Sequence, residues 1–264
     1  ITHQPDELNT NLVLECVRSS KHLPLIMAPL IFISTVLTHL VGGSSGREGA
    51  ALQLGGSLST FIGERLHLDE NDLRILTMCG MSAAFSALFR TPIGATIFSM
   101  EVISVGIMYY VALVPCIIAA LVGYAISGYF GVPATRYEVN LITSLNFATL
   151  FQVIVLGIFC ALLSILFCKS LHIAHTLYGK YLKNPYLRIG VGSLFIIILT
   201  FLIDSRDYLG AGMPIIENAL NGKALPFAFL SKIIFTALSL GAGFKGGEIV
   251  PSFFVGATFG VIIG

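Results

Sequence analysis

The 264-residue sequence contains no tryptophan, and only 11% of its residues are charged. A soluble domain carries about 25% charged side chains. The deficit excludes an ordinary water-facing surface over most of the chain. Without tryptophan, any aromatic belt at a membrane interface has to come from the nine tyrosines. The formal net charge is only +1, so no basic excess points to nucleic acid. Cysteine is scarce and scattered, at Cys16, Cys79, Cys116, Cys160 and Cys168, with no CxxC pair. That pattern excludes a disulfide framework or a zinc site and reads as buried free thiols. His172 and His175 stand three apart, but a metal needs more ligands than that. No metal or cofactor is expected. There is no HExxH zinc motif, and Ser57 and Ser59 lie in an apolar stretch without a paired histidine. An intramembrane enzyme is therefore the disfavoured alternative class, and the chain is read as a non-enzyme. No signal-peptide pattern opens the chain. It starts at Ile1 and ends inside an apolar stretch, 249–264, which reads as a fragment cut at both ends.

Apolar side chains fill the space left by charge. Hydrophobic residues make up 55% of the chain, and the mean hydropathy is +0.88. Apolar stretches recur over about 25–41, 50–63, 73–89, 92–130, 147–168, 187–203, 225–243 and 249–264. A bilayer is the solvent that this composition needs. Several stretches are shorter than a full span and are broken by Gly or Pro, as in transporters near the bilayer midplane. Lys169, Lys180, Lys183 and Arg188 flank one break with no acidic residue among them, which places it on the cytoplasmic side. Asp69 or Asn71 is the expected cap of a helix opening at Leu73.

The two ends of the chain repeat one another. Leu23-Pro24 opens an apolar helix that reaches Gly42-Gly43-Ser44-Ser45-Gly46-Arg47-Glu48-Gly49, and a second apolar helix follows. Leu225-Pro226 opens another, which reaches Gly241-Ala242-Gly243-Phe244-Lys245-Gly246-Gly247-Glu248, and again an apolar helix follows. The expected units are hairpins over 21–65 and 223–264 within a single transmembrane domain, 1–264. The two glutamates are read as occupying matching points. Glycine-interrupted segments at corresponding positions of two repeats mark a transporter's binding site.

A glycine-rich loop that opens a helix offers exposed N–H groups and the positive end of the helix dipole, which together suit an anion. An ionisable residue inside a span is expensive and is functional by default. Glu48, itself an anion, can occupy such a site and leave when protonated, which links anion to proton movement. Its structural alternatives are helix capping and pairing with Arg47. Glu248 is read as a second carboxyl that, when protonated, donates a hydrogen bond to a small hard anion. Its structural alternative is a salt bridge to Lys245. His39 lies just before the first loop, and the sequence leaves its role open.

Gly46-Arg47-Glu48-Gly49-Ala50 resembles the GREGP motif of CLC proteins, and Gly246-Gly247-Glu248-Ile249-Val250-Pro251 resembles their GGxFxP motif. Between them, Arg90-Thr91-Pro92-Ile93-Gly94-Ala95 with Phe98, Met100 and Glu101 resembles the family helix that ends in acidic residues. The resemblance implies an all-α membrane protein with the CLC inverted-repeat fold, whose broken helices meet at the midplane. It implies a homodimer in a bacterial cell membrane, with the interface drawn from the 92–130 region. It implies that Glu48 gates, that Ile249 and Val250 line the central anion site, and that Gly46, Arg47, Gly49 and Gly247 belong to the anion pathway. The family's second, proton-relaying glutamate is replaced by Val102. Glu248 stands at the variable position of GGxFxP, Ile249 replaces Phe, and Ala50 replaces Pro. Those departures resemble the fluoride/proton antiporter branch, which exports fluoride. The alternative within the family is a chloride channel or chloride/proton antiporter. The GSGIP-type motif has no match in residues 1–11; Gly210-Ala211-Gly212-Met213-Pro214 is read as its repeat counterpart.

Overall fold

The computed structural model describes residues 24–102, 108–134 and 146–263. Among them the regular elements are helices, with one isolated backbone bridge. The chain clusters into two compact units. Of the described residues, those up to Thr35 and from Glu48 to 134 form the first, and Val36–Arg47 with those from 146 onward form the second.

The first unit is built on α2 (Glu48–Arg65), α3 (Glu70–Phe89), α4 (Pro92–Glu101) and α5 (Leu113–Tyr129), the last entered through a 3-10 turn at Tyr110–Ala112. Glycine sets how closely α2 and α3 approach. A methyl at Gly55 would overlap the carbonyl oxygen of Gly80, and one at Gly80 would overlap that of Gly55. Small residues permit this backbone approach where lipid gives helices no hydrophobic drive to associate. Thr60 and Thr77 share a hydroxyl hydrogen bond of 2.9 Å across the same pair. Two serines one turn apart fix α5 on α3: Ser82 donates to Cys116 O at 3.1 Å and Ser86 to Ala120 O at 2.7 Å. Asp69, not Asn71, caps α3, accepting from Asp72 N at 2.8 Å, and the helix opens at Glu70 rather than Leu73. Acidic side chains in a first turn suit the helix dipole, so the start precedes the apolar pattern.

The second unit holds α6 (Phe147–Tyr181), α7 (Pro185–Ile203), α8 (Met213–Leu220), α9 (Ala228–Gly241) and α10 (Ile249–Ile263). Leu163 and Phe167 of α6, Ile233 of α9 and Val255 of α10 form its apolar core. The expected apolar stretch 147–168 is only part of α6, which runs on through Lys169, His172, His175 and Lys180. Lysine is a good helix former, so the helix outlasts its apolar sequence. At 1.5 Å per residue its 35 residues span about 52 Å, beyond the roughly 30 Å of hydrocarbon. The basic break shrinks to the link around Lys183. The expected stretch 92–130 divides into α4 and α5; residues 103–107 lie outside the description, as do 1–23 and 135–145. Cys79 and Cys116 are buried, 3.9 Å apart at sulfur, but Cys160 and Cys168 are exposed on α6, contrary to the expectation for all five thiols. Cys16 lies outside the described residues.

The helices Glu70–Phe89, Tyr110–Tyr129, Phe147–Tyr181 and Pro185–Ile203 are long and apolar enough to cross a membrane. Their outer faces are greasy: Val114 of α5 is 64% exposed and Phe201 of α7 is 82%. By contrast α1 (Met27–Leu40) and α9 have 14 residues each, about 21 Å, too short to cross the hydrocarbon. Both glycine loops hang from the C-terminal ends of these two short helices.

Candidate functional site

Both loops lie in the second unit and have the same backbone. Each leaves its helix through a glycine in the left-handed region, Gly42 at φ 81° and Gly243 at φ 98°. The next amide closes back onto the helix in each: Gly43 N donates to Thr38 O at 2.8 Å, and Phe244 N to Ser239 O at 3.2 Å. These are the capping bonds that satisfy the last carbonyls of a helix. The loops then cross. Gly46 N donates to Gly247 O at 2.7 Å and Gly247 N to Gly46 O at 2.9 Å, an antiparallel bridge. Each loop also borrows a hydroxyl from the other's helix: Ser44 N donates to Ser239 Oγ at 2.9 Å, and Lys245 N to Thr38 Oγ1 at 3.1 Å. Each of these backbone-amide bonds has its counterpart in the other direction, which is the signature of a local two-fold axis. Paired broken helices about such an axis are how inverted-repeat transporters form their sites.

This geometry corrects the register of the repeat. Gly42 pairs with Gly243 and Gly46 with Gly247, so Arg47 corresponds to Glu248, and Glu48 corresponds to Ile249. The two glutamates do not occupy matching points. Glu48 is the first residue of α2 and is fully buried, at 0% exposure, whereas Glu248 precedes α10 and is exposed, like Arg47. Gly49 and Val250, each second in its helix, are buried, and Ile249 is half-buried.

The candidate anion residues differ in what they can offer. The amides of Gly46 and Gly247 are committed to the bridge, so these residues fix the loops and contribute space rather than hydrogen bonds. The first-turn amides of α2 and α10 begin two residues beyond the bridge, where helix N–H groups lack intrahelical acceptors. Covalent connectivity alone keeps both helix starts close to it. Gly246 is indispensable to the crossing, because a methyl there would overlap Ser45 Cβ and Oγ. Gly43 is similarly confined, with Thr38 Cγ2 2.6 Å from where a methyl would lie.

Three residues of the site escaped the reading of the sequence. On α9, Lys232, Thr236 and Ser239 follow one another at i, i+4 and i+7, and all three are 0% exposed. Thr236 Oγ1 shares a 3.0 Å hydrogen bond with Ser44 Oγ, and Ser239 caps the first loop as above. Lys232 donates to the carbonyls of Gly210 at 2.7 Å and Tyr208 at 3.1 Å. A lysine in the apolar stretch 225–243 was the available signal, by the intramembrane rule already applied to Glu48. A further pattern was passed over: Gly42-Gly43-Ser44-Ser45-Gly46 formally spells the GxSxG serine elbow. The strand-to-helix setting of that elbow is not present, and the hydroxyl partner of Ser44 is Thr236, not an imidazole.

Other candidates fall elsewhere. Gly212, at φ 75°, opens the short helix α8, so the Gly210–Pro214 string does form a helix start in the second repeat. Glu101 is exposed at the end of α4, and Val102 caps it. His39 sits in the last turn of α1. His172 and His175 are exposed on α6, and no group of three metal-ligating side chains occurs among the described residues.

The sequence profile of the family described as Voltage gated chloride channel matches residues 9–264. A chloride/fluoride channel protein of Pseudomonas syringae pv. tomato is 34% identical over 264 residues, covering 97% of this chain and 58% of the relative. A voltage-gated ClC-type chloride channel, ClcB, of Shigella flexneri is 24% identical, covering 88% of this chain and 56% of the relative. The crystal structure of a CLC-type fluoride/proton antiporter superimposes with a TM-score of 0.87 at 32% identity, over 91% of this chain and 61% of that one. A slow cyanobacterial Cl⁻/H⁺ antiporter shares the fold, with a TM-score of 0.82 at 16% identity. The chain thus spans about three fifths of the length of the proteins it matches.

Proposed function

Since the chain belongs to the voltage-gated chloride channel family, we propose that it carries the anion site of a fluoride/proton antiporter that exports fluoride across a bacterial cell membrane. One observation carries this reading. A fully buried carboxyl, Glu48, opens a helix two residues from a two-fold backbone bridge that holds two glycine loops. An anionic side chain at that helix start occupies the place an anion would take. Protonation releases it, and the anion takes its place; the exchange couples the two fluxes.

The exposed carboxyl of Glu248 is the second proton carrier. When neutral it donates a hydrogen bond, and fluoride, small and hard, is the halide best matched to such a donor. The first-turn amides at Gly49 on its helix, and at Ile249 and Val250 on theirs, each suit an anion without a full opposing charge. Binding of that strength lets the ion enter and leave. Arg47, exposed beside Glu48, attracts anions to the loop. Homodimerisation through the apolar faces of α4 and α5 fits their exposure. The antiporter structure at 32% identity is a fluoride/proton antiporter, which favours fluoride, whereas the Pseudomonas relative is described by chloride and fluoride together. Chloride conduction is the second reading, favoured by Val102, since passive flux needs no relaying acid there.

The test is anion efflux from liposomes holding the full-length protein, with fluoride and chloride electrodes beside a pH readout and no ionophore. Fluoride efflux with opposed proton uptake and little chloride efflux is the expected result. Chloride flux equal to or above fluoride, with no proton movement, overturns it.

A further inference from the structure

The two-fold arrangement of the loops contains a further asymmetry: a buried lysine. In the register set by the bridge, Thr236 corresponds to Thr35 and Ser239 to Thr38, hydroxyl for hydroxyl. Lys232 corresponds to Ile31. The first repeat has an ordinary core side chain where the second has an ammonium group with 0% exposure. Burial of a charge in a membrane helix is costly, and the cost calls for a return that isoleucine does not give.

The contacts of Lys232 locate that return. Its Nζ donates to Gly210 O at 2.7 Å and to Tyr208 O at 3.1 Å, and lies 5.2 Å from the centre of the Phe254 ring. The 208–210 segment in turn supports the first glycine loop. Gly210 N donates to Gly43 O at 3.2 Å, and Leu209 packs on Gly42, with Cδ1 3.4 Å from where a methyl on that glycine would lie. On the other side, Phe254 belongs to α10, one turn below Val250, and is fully buried. Tyr208 closes the arrangement, with its ring 5.6 Å from Phe235 and 6.2 Å from Phe254. One ammonium therefore ties together the backbone that supports the first loop and the helix that the second loop opens.

We infer that Lys232 is a positioning residue for the anion site: it fixes the first glycine loop through the 208–210 backbone and so sets discrimination between small and large halides. This rests on the reading that the two loops form the anion site. The amides of a site can select by size only if the backbone that carries them cannot yield. Lys232 supplies stiffness through the 208–210 backbone that it holds. Without its two N–H donors, the buried carbonyl of Tyr208 and the half-buried one of Gly210 lose their donor. The 208–210 segment then relaxes, and the first loop loses its outer support.

The experiment is fluoride and chloride efflux with a proton readout, on full-length protein in liposomes, for wild type, Lys232→Met, Lys232→Arg and Leu209→Ala. In Lys232→Met the ratio of fluoride to chloride flux falls by about tenfold, the scale of one buried acceptor left unsatisfied. Lys232→Arg, which keeps two donors for the carbonyls, recovers most of the ratio. Leu209→Ala, which loosens the packing on Gly42 and leaves the lysine in place, gives an intermediate ratio. A merely structural lysine would lower the amount of active protein and leave the ratio unchanged. An unchanged ratio in Lys232→Met therefore overturns the inference. If Lys232→Met does not yield folded protein, Leu209→Ala decides, and a wild-type ratio there overturns it equally. Wild-type liposomes with no anion flux would instead sink the reading of the site itself.

Discussion

The two glycine loops share one backbone and differ in their chemistry. Both leave a 14-residue helix through a left-handed glycine, both cap that helix with the next amide, and both lend an amide to the other's hydroxyl. Yet the first loop delivers a buried carboxyl to the start of α2, whereas the second delivers an isoleucine to the start of α10 and keeps its carboxyl one residue earlier, exposed. The difference teaches that symmetry resides in the hydrogen-bonded main chain, where it sets the geometry. Asymmetry resides in side chains one position apart, which give the two helix starts different chemistry.

The largest effect should come from removing the buried member. Glu48→Gln keeps the shape and abolishes the charge, so opposed proton uptake should vanish while fluoride still leaks down its gradient. A pH electrode beside a fluoride electrode checks this. Retained coupling would mean that the buried carboxyl is only a helix cap.

Gly246→Ala should be nearly as severe, because its methyl overlaps Ser45 at the crossing. Gly256→Ala, further along α10, has nothing within 4 Å of the added methyl and should be silent or slightly stabilising. Yield of monodisperse protein and fluoride efflux measure the pair together. Equal behaviour of the two would show that the crossing tolerates a shift of the loops.

Glu248→Gln should reduce coupling less abruptly than Glu48→Gln. An exposed carboxyl can be bypassed by water, whereas a buried one cannot. The expected outcome is fluoride efflux with fewer protons taken up per ion, measured over the first seconds of flux. Complete loss of fluoride efflux would instead place Glu248 among the groups that hold the ion.

Much of this was legible before any coordinates. The repeat showed in Leu-Pro, in the glycine runs and in the following apolar stretches, because broken helices need those residues. The register did not, since matching like with like aligned Glu48 with Glu248. Backbone hydrogen bonds set the register, and their marker was the turn glycine, Gly42 with Gly243, not the carboxylates. Lys232 was hidden because averaging hydropathy over a stretch hides a single charge in it. The true end of α6 was hidden for the opposite reason: its last turns are polar, and an apolar pattern cannot report a helix that has left the hydrocarbon.

The smallest predicted effect tests the two-fold axis itself. Thr38 and Ser239 play one role twice, each accepting the loop amide from the other repeat, at 3.1 Å and 2.9 Å. Replacing Ser239 with alanine removes the acceptor of a buried amide, and replacing Thr38 removes that of a half-buried one, each at a cost of about 1–3 kcal/mol. Thr38→Ala also removes a methyl, Cγ2, against Gly43, which adds about 0.8 kcal/mol by burial alone. Ser239 also donates to Phe235 O at 2.8 Å. That bond lies within its helix and contributes little once lost. Thr38→Ser should therefore separate the methyl from the hydroxyl. Corrected in this way, the two alanine variants should cost the same to within about 0.5 kcal/mol, the usual limit of additivity. Thermal unfolding of the full-length protein in detergent measures both. A large cost at Thr38 with none at Ser239 would mean that the first loop holds the second and is not held in return, and the axis would then describe positions rather than energies.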